Sequence, residues 1–279
     1  MVFIWEFNCL KMKYFNGIID SVSRGYNADA AAFFARVTAA GGSLTLTEKK
    51  AVNTLVISLK VNNLWTSMKA IYPMVGSSAA ACAQNLKSSS FTGSFSGGWT
   101  YASTGVKPNG TNGFMNTGFI ANNNLTLNSG HLSFYSRTNN NTGIDDFSAI
   151  VATDTQNMRL IIKYSDNFLY NDLNNAASNR ITVANSDSLG FYISSRLNST
   201  SLKVYKNSSN IATNTVSNGG TQPTINIYLG AANQDGIMAN LFSNRECAMA
   251  SLGNGLSDIQ AANFYTYVQT FQTSLSRQV

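Results

Sequence analysis

Charge is scarce in this chain: 11% of its 279 residues are Asp, Glu, Lys or Arg. Glutamate occurs only at Glu6, Glu48 and Glu246. None stands in an E-x-D-x-E arrangement, the spacing that sets paired carboxylates on one strand face for acid–base chemistry. Glu246, beside Arg245, reads as an ion-pair or hydrogen-bond partner. The single histidine, His131, has no serine or cysteine nucleophile motif around it, and no catalytic role is expected of it. Cysteine occurs only at Cys9, Cys82 and Cys247, far apart and without CxxC or Cys/His spacing. Zinc is therefore not expected, and free thiols suited to a reducing cytoplasm are. No run of about 18 apolar residues is present, so no membrane-spanning helix is expected. The opening MVFIWEFNCLKMKYF is apolar but lacks an early positive region and a small-residue cleavage site. It reads as a docking arm, or as sequence upstream of the true start.

What is abundant is neutral polarity. Asn, Ser, Thr and Gly solubilise a chain whose hydrophobic fraction, 44%, is too high for disorder. Such a length buries a full core without cross-links and holds one large β-sandwich with a small appendage. The formal charge of +6 is uneven: residues 1–90 hold nine Lys/Arg against four acids, and residues 91–279 hold ten against nine. The basic end could steer an acidic partner. Its lysines are scattered and no binding motif accompanies them, so nucleic acid is not expected as a partner.

Residues 189–231 organise the chain. Phe191, Ile193 and Ser195 alternate with Tyr192, Ser194 and Arg196; Leu202 and Val204 alternate with Lys203 and Tyr205; Ile225, Ile227 and Leu229 alternate with Asn226 and Tyr228. A period of two sets one group on a buried face and the other outside. Polar turns at 198–200 and 207–210 join these strands. An antiparallel sheet with one apolar face is predicted. LKVYKNSSNIA followed by INIYLGA resembles the strand–turn–strand and Tyr-Leu-Gly core of laminin-G-like, concanavalin-type jelly rolls. GVKPNGTNGFMNTGF (105–119) resembles the opening hairpin of that fold, and Leu256-Ser257-Asp258 with the following helix resembles its closing element. Residues 28–76 are similar to the helical segment that precedes such sandwiches in structural proteins of tailed bacteriophages. This fold hosts lectins, glycosidases and structural modules alike.

The chain divides into an N-terminal arm (1–27), an α-helical module (28–88) and a mainly β, antiparallel jelly-roll sandwich closed by a C-terminal helix (89–279). Asp29 is expected to cap a helix bearing Phe33, Val37 and Ala40, ended by Gly41-Gly42. Thr45 and Glu48 form a capping box for a second helix that buries Val52, Leu55 and Leu59. Leu64, Met68 and Ile71 read as a further helical stripe ending at Pro73. Trp65, Met68 and Tyr72 beside it read as core packing rather than a ligand box. Strands are expected at 131–137 and 158–164, and polar loops at 139–146 and 171–179. Ser257 and Gln260 cap a last helix whose Phe264, Val268, Phe271 and Leu275 share one face, which should dock on the sandwich.

Tyr135, Arg137, Tyr192, Arg196, Tyr205 and Tyr228 stand opposite the apolar positions, with Arg159, Lys163, Lys203 and Asn226 among them. Aromatic rings beside guanidinium and amide groups are the chemistry of sugar recognition. They equally suit ordinary outward strand positions or a face covered by the helical module. Asp145-Asp146 and Asn171-Asp172 are oxygen donors of the kind calcium takes, yet no metal and no cofactor is expected. The resemblance implies a non-enzymatic bacteriophage virion structural protein of the fibre, tail or capsid-decoration kind, assembled in the bacterial host cytoplasm. Its implied partners are other virion proteins through the helical module, sister copies in a homo-oligomer and a host-surface glycan, without membrane insertion. A free carbohydrate-binding lectin domain and a glycan hydrolase remain the alternatives.

Overall fold

A computed structural model of the chain describes residues 25–151, 155–216 and 220–279. Most of the expected N-terminal arm, with Glu6 and Cys9, lies outside the described residues.

The first helix, α1 (Ala28–Ala39), is capped by Asn27 rather than Asp29. The Asn27 side chain accepts from the Asp29 N–H at 3.1 Å, while Asp29 takes the first turn, where a negative charge suits the helix dipole. Helix α2 (Leu46–Val61) starts with the expected capping box and buries Val52, Leu55 and Leu59. After it comes a departure from the helical reading: Met68–Tyr72 is a strand, β1, paired antiparallel with a strand at Cys247–Gly253. Asn63, at φ 56°, turns the chain out of α2. Ala70 and Tyr72 then enter the sandwich core while Met68 and Ile71 face the helices. A strand buried on both faces carries apolar residues on both, as β1 does except at Lys69, so its side chains match a helical stripe by coincidence. Trp65 is half-buried beneath the Lys60 and Lys87 ammonium groups.

A short helix, α3 (Ala79–Cys82), leads into the sandwich strands β2 (Ser94–Ser96), β3 (Trp99–Ala102), β4 (Gly105–Pro108) and β5 (Phe114–Ile120). A one-turn α4 (Ala121–Asn124) precedes β6 (Gly130–Ser136), β7 (Phe147–Ile150), β8 (Asn157–Ile161), β9 (Phe168–Asn175) and β10 (Ile181–Ala184). Then follow β11 (Gly190–Asn198), β12 (Ser201–Lys206), β13 (Ser209–Asn214), β14 (Asn226–Leu229), β15 (Ala232–Gln234), β16 (Met238–Asn240), β17 (Cys247–Gly253) and helix α5 (Asp258–Ser274). The described residues form two sheets. The first runs β13-β12-β11-β6-β17-β4-β3, with β1 also on β17. The second runs β10-β9-β8-β7-β14-β5-β2, with β15 added on β7 and β16 on β15. The architecture is thus the expected antiparallel β-sandwich with helices before and after it.

Two expectations are corrected. Residues 105–119 are not a hairpin, because β4 pairs with β3 in the first sheet and β5 lies in the second. The Asn/Gly-rich turn instead crosses between sheets, and Asn109 Oδ1 accepts the N–H groups of Thr111, Asn112 and Gly113 at 3.0, 3.1 and 3.1 Å. The loop expected at 171–179 is largely strand, since β9 continues through Asn175.

Two hydrophobic layers result. One lies between the sheets and is built from Leu132, Phe134, Phe147, Leu160, Ile227 and Leu229 with their neighbours. The other lies between the first sheet and the helices, where Phe264, Val268 and Phe271 of α5 meet Tyr135, Phe191, Ile193 and Tyr205. Each ring buried there is worth roughly 2–3 kcal/mol. The first sheet is therefore covered on both faces.

Candidate functional site

The six residues expected on one accessible face fall on three different surfaces. Tyr135 and Tyr205 lie under α5, where they anchor it. The Tyr135 hydroxyl donates to Gln269 Oε1 at 3.0 Å, and the Tyr205 hydroxyl donates to Asp258 Oδ1 at 2.6 Å beside Lys203 Nζ at 2.7 Å. Arg137, at the edge of that layer, donates to the Arg277 carbonyl and lies 3.7 Å from Glu246 Oε2. Tyr192 and Arg196 point the opposite way, into the sandwich, because Tyr135 pairs with Phe191 and not with Tyr192. The Tyr192 hydroxyl donates to the Asp187 carbonyl at 2.7 Å. Arg196 is 1% exposed, donates to the Leu173 carbonyl at 2.6 Å and the Ser199 carbonyl at 3.1 Å, and clamps β11 to β9. Burial pushes its pKa down to about 10. Five of the six are structural. The alternation was real, but in a sheet covered on both sides it separates two interiors, not inside from outside.

Tyr228 is different. It belongs to the outer face of the second sheet, where the pairing register sets Asn116, Tyr228, Ser148, Arg159 and Asp172 in one row across β5, β14, β7, β8 and β9. The alternate positions Met115, Leu229, Phe147 and Leu160 enter the core. With about 4.8 Å between strands, Tyr228 and Arg159 are roughly 10 Å apart. Tyr228 stacks on Phe114, ring centroids 4.6 Å apart and planes 23° apart. Two residues before Asp172, Tyr170 stands on the same face opposite Thr182. Its ring meets Tyr164 edge-on at 5.9 Å, the Arg180 guanidinium lies 6.0 Å from its centre, and its hydroxyl donates to Asp166. Tyr164, Tyr170, Arg180, Tyr228 and Phe114 are all half-exposed.

The charges of this face are already matched. Arg159 grips both carboxylate oxygens of Asp145, Nε at 2.7 Å and the terminal nitrogen at 2.8 Å. Arg180 places Nε at 2.8 Å and a terminal nitrogen at 2.6 Å on Asp172 Oδ2. Burial raises the pKa of Asp145 and of Asp172, and the arginine beside each draws it back down. The loop at 139–146 borders the rings. A Cβ on Gly143 would stand 3.2 Å from the Tyr164 ring, so glycine permits that approach. The loop is pinned beneath by the fully buried pair Asp146–Arg245 at 2.7 Å, and the Ser188 hydroxyl donates to the Thr138 carbonyl at 2.9 Å. A face held this way needs little ordering on binding.

Sequence reasoning found Arg159 and Tyr228 here but missed Tyr164, Tyr170, Arg180 and Phe114. The available signal was the alternation of Leu169 and Leu173 with Tyr170 and Asp172, obscured by the surrounding asparagines.

Other chemistry-bearing groups are enclosed or spent. His131 Nδ1 lies 2.6 Å from the Asn254 carbonyl and Nε2 lies 3.0 Å from Ser251 Oγ, all beneath the surface. Burial pushes its pKa down to about 4, so the ring is neutral, and no substrate reaches the His131–Ser251 pair. No group of three or more His, Cys, Asp or Glu is placed to hold a metal among the described residues. A cleft of about 400 Å³ between the start of α2 and the end of α5 is lined by Ser43, Thr45, Ser77, Ser103 and Ser276 without an aromatic ring. Its carboxylate, Glu48, is occupied by the Gly76 and Thr45 N–H groups, each at 2.7 Å.

No protein-family model and no curated protein matches the sequence. Solved structures do. The sialidase of Trypanosoma rangeli, in complex with sialic acid, matches at 12% identity and TM-score 0.50, over 72% of this chain and 33% of that one. The chain shares its β-sandwich fold. Domain 4 of AbnA, a GH43 extracellular arabinanase from Geobacillus stearothermophilus in complex with arabinotriose, matches at 15% identity and TM-score 0.48, over 71% of this chain and 98% of that one. The binding domain of botulinum neurotoxin DC, in complex with rat synaptotagmin II, matches at 14% identity and TM-score 0.48 over 74% of this chain and 52% of that one. This chain thus spans about half of the neurotoxin domain and a third of the sialidase.

Proposed function

We propose that this chain is a non-catalytic glycan-binding β-sandwich that serves as a structural component of a bacteriophage virion and presents the outer face of its second sheet to a host-surface sugar. One observation carries the binding part: Tyr164, Tyr170 and Arg180 at one end of that face and the stacked Tyr228–Phe114 pair at the other are half-exposed, whereas the outer face of the first sheet lies under the helices. Rings of this kind pack on the apolar faces of sugars, and forked donors and amides hold hydroxyls. The absence of turnover is supported by the pairing of Asp145, Asp146 and Asp172 with Arg159, Arg245 and Arg180, which leaves none of these acids disposed as a proton donor. The virion part is supported by the resemblance of residues 28–76 to the helical segments of phage structural proteins and by the basic character of residues 1–90. Attachment to particle and sister subunits through that end leaves the sheet face outward, and several copies multiply a weak single-site affinity.

Binding of the purified chain to immobilised host-surface polysaccharide tests the reading. Each ring contributes about 1 kcal/mol, so Tyr164→Ala with Tyr170→Ala should weaken binding roughly 30-fold. Because both side chains are half-exposed, the melting temperature should stay within a few degrees. Undiminished binding by the folded double variant would overturn the assignment of the face.

A further inference from the structure

We infer that this face selects neutral sugars and turns away sialylated, uronate-bearing and sulfated ones; the inference rests on the glycan-binding reading of the same face. Recognition of an acidic sugar uses a guanidinium whose forked N–H groups are open to an incoming carboxylate or sulfate. Arg159 spends Nε and a terminal nitrogen on the two oxygens of Asp145, and Arg180 spends the same pair of groups on Asp172. Neither arginine is free to change partner. Asp145 and Asp172 are both 0% exposed, and withdrawing the guanidinium would leave a buried carboxylate uncompensated.

The remaining charges point the same way. Asp166, exposed at the turn between β8 and β9, accepts from the Tyr170 hydroxyl and places a carboxylate beside the ring platform. Two arginines and Lys163 balance three aspartates in this part of the face, but the Lys163 ammonium is buried on the neutral Ser186 carbonyl at 2.7 Å and Asn139 Oδ1 at 3.3 Å, so the charge open to a ligand is the exposed Asp166 carboxylate. The basic surplus of the chain lies in residues 1–90. What the face offers an incoming ligand is therefore aromatic surface, amide groups such as Asn116 and a repulsive carboxylate. That combination suits uncharged hexoses and N-acetylhexosamines. Association with such ligands should also be insensitive to salt, since no net ion pair forms.

A printed array of neutral glycans, each beside its sialylated, uronate or sulfated counterpart, decides the matter when probed with the fluorescent full-length chain. The expected result is signal on neutral glycans, at least about tenfold weaker signal on the acidic counterparts, and less than about twofold change between 50 and 500 mM salt. Asp166→Asn, an exposed isosteric change that keeps an acceptor for Tyr170, should raise the acidic signal at low ionic strength. Preference for acidic glycans that is lost in Tyr170→Ala would overturn the inference while leaving the glycan-binding reading intact. No signal on any glycan, or signal unchanged in Tyr164→Ala with Tyr170→Ala, would overturn both.

Discussion

Arg196, Arg245 and Arg277 are among the largest fully buried side chains of the molecule. Each is used as a multidentate donor to backbone. Arg277 donates to the carbonyls of Met74 and Pro73 at 2.7 Å and of Ala248 at 2.9 Å, tying the chain beyond α5 to β17 and to the end of β1. Composition alone gives no sign of this, because an arginine on a strand is ordinarily a surface residue. The difference is measurable at Arg196. Arg196→Ala removes the donors of the Leu173 and Ser199 carbonyls between the sheets, and should cost about 3 kcal/mol, lowering the melting temperature by roughly 10 °C. Thermal unfolding followed by circular dichroism reads this directly. A shift of only a degree or two would mean that the side chain points outward, as simple alternation implies.

At the scale of elements, legibility followed the range of the interaction. The capping boxes Thr45–Glu48 and Ser257–Gln260 join residues three apart, so their signature survives any tertiary context, and both helices begin there. The β1 strand and the far half of β9 depend on partners more than a hundred residues distant or on polar groups in the interior, and were read wrongly. Asn171 of β9 is buried with its side chain toward the core, and Asn175 Nδ2 donates to Asp172 Oδ1 at 3.2 Å; such asparagines mimic a loop in sequence. The candidate site suffered for the same reason, since Tyr170 lies on β9. The role of β1 also bears on the N-terminal helices. Deleting residues 1–88 removes β1, one of the partners of β17, and strips α2 from the face of α5 that carries Tyr267 and Phe271. The remainder should aggregate, or lose its near-ultraviolet circular dichroism and its resistance to protease. A soluble, protease-resistant fragment with a cooperative transition would show that the helical region is dispensable for the fold.

For the whole molecule, the arrangement is asymmetric. Helices close one side of the sandwich, while the other side carries aromatic and ion-paired residues beside a loop tied down by the buried Asp146–Arg245 pair. Among the described residues Arg36, Lys49, Lys50, Lys60, Lys69 and Lys87 outnumber Asp29 and Glu48 at the helical end, so the attachment and the recognition we propose would fall on opposite sides. Tyr228 on one strand and Tyr170 two strands beyond β7 come onto one face only through the order β14-β7-β8-β9 of the second sheet. No local pattern contains that order. Hydrogen–deuterium exchange of the full-length chain, with and without the best-binding array glycan at saturation, tests the central claim most directly. The expected result is added protection at 164–170, around Arg180 and at 226–229, with none in α2 or α5. Protection confined to the cleft between α2 and α5, or to the edge at β12 and β13, would contradict it.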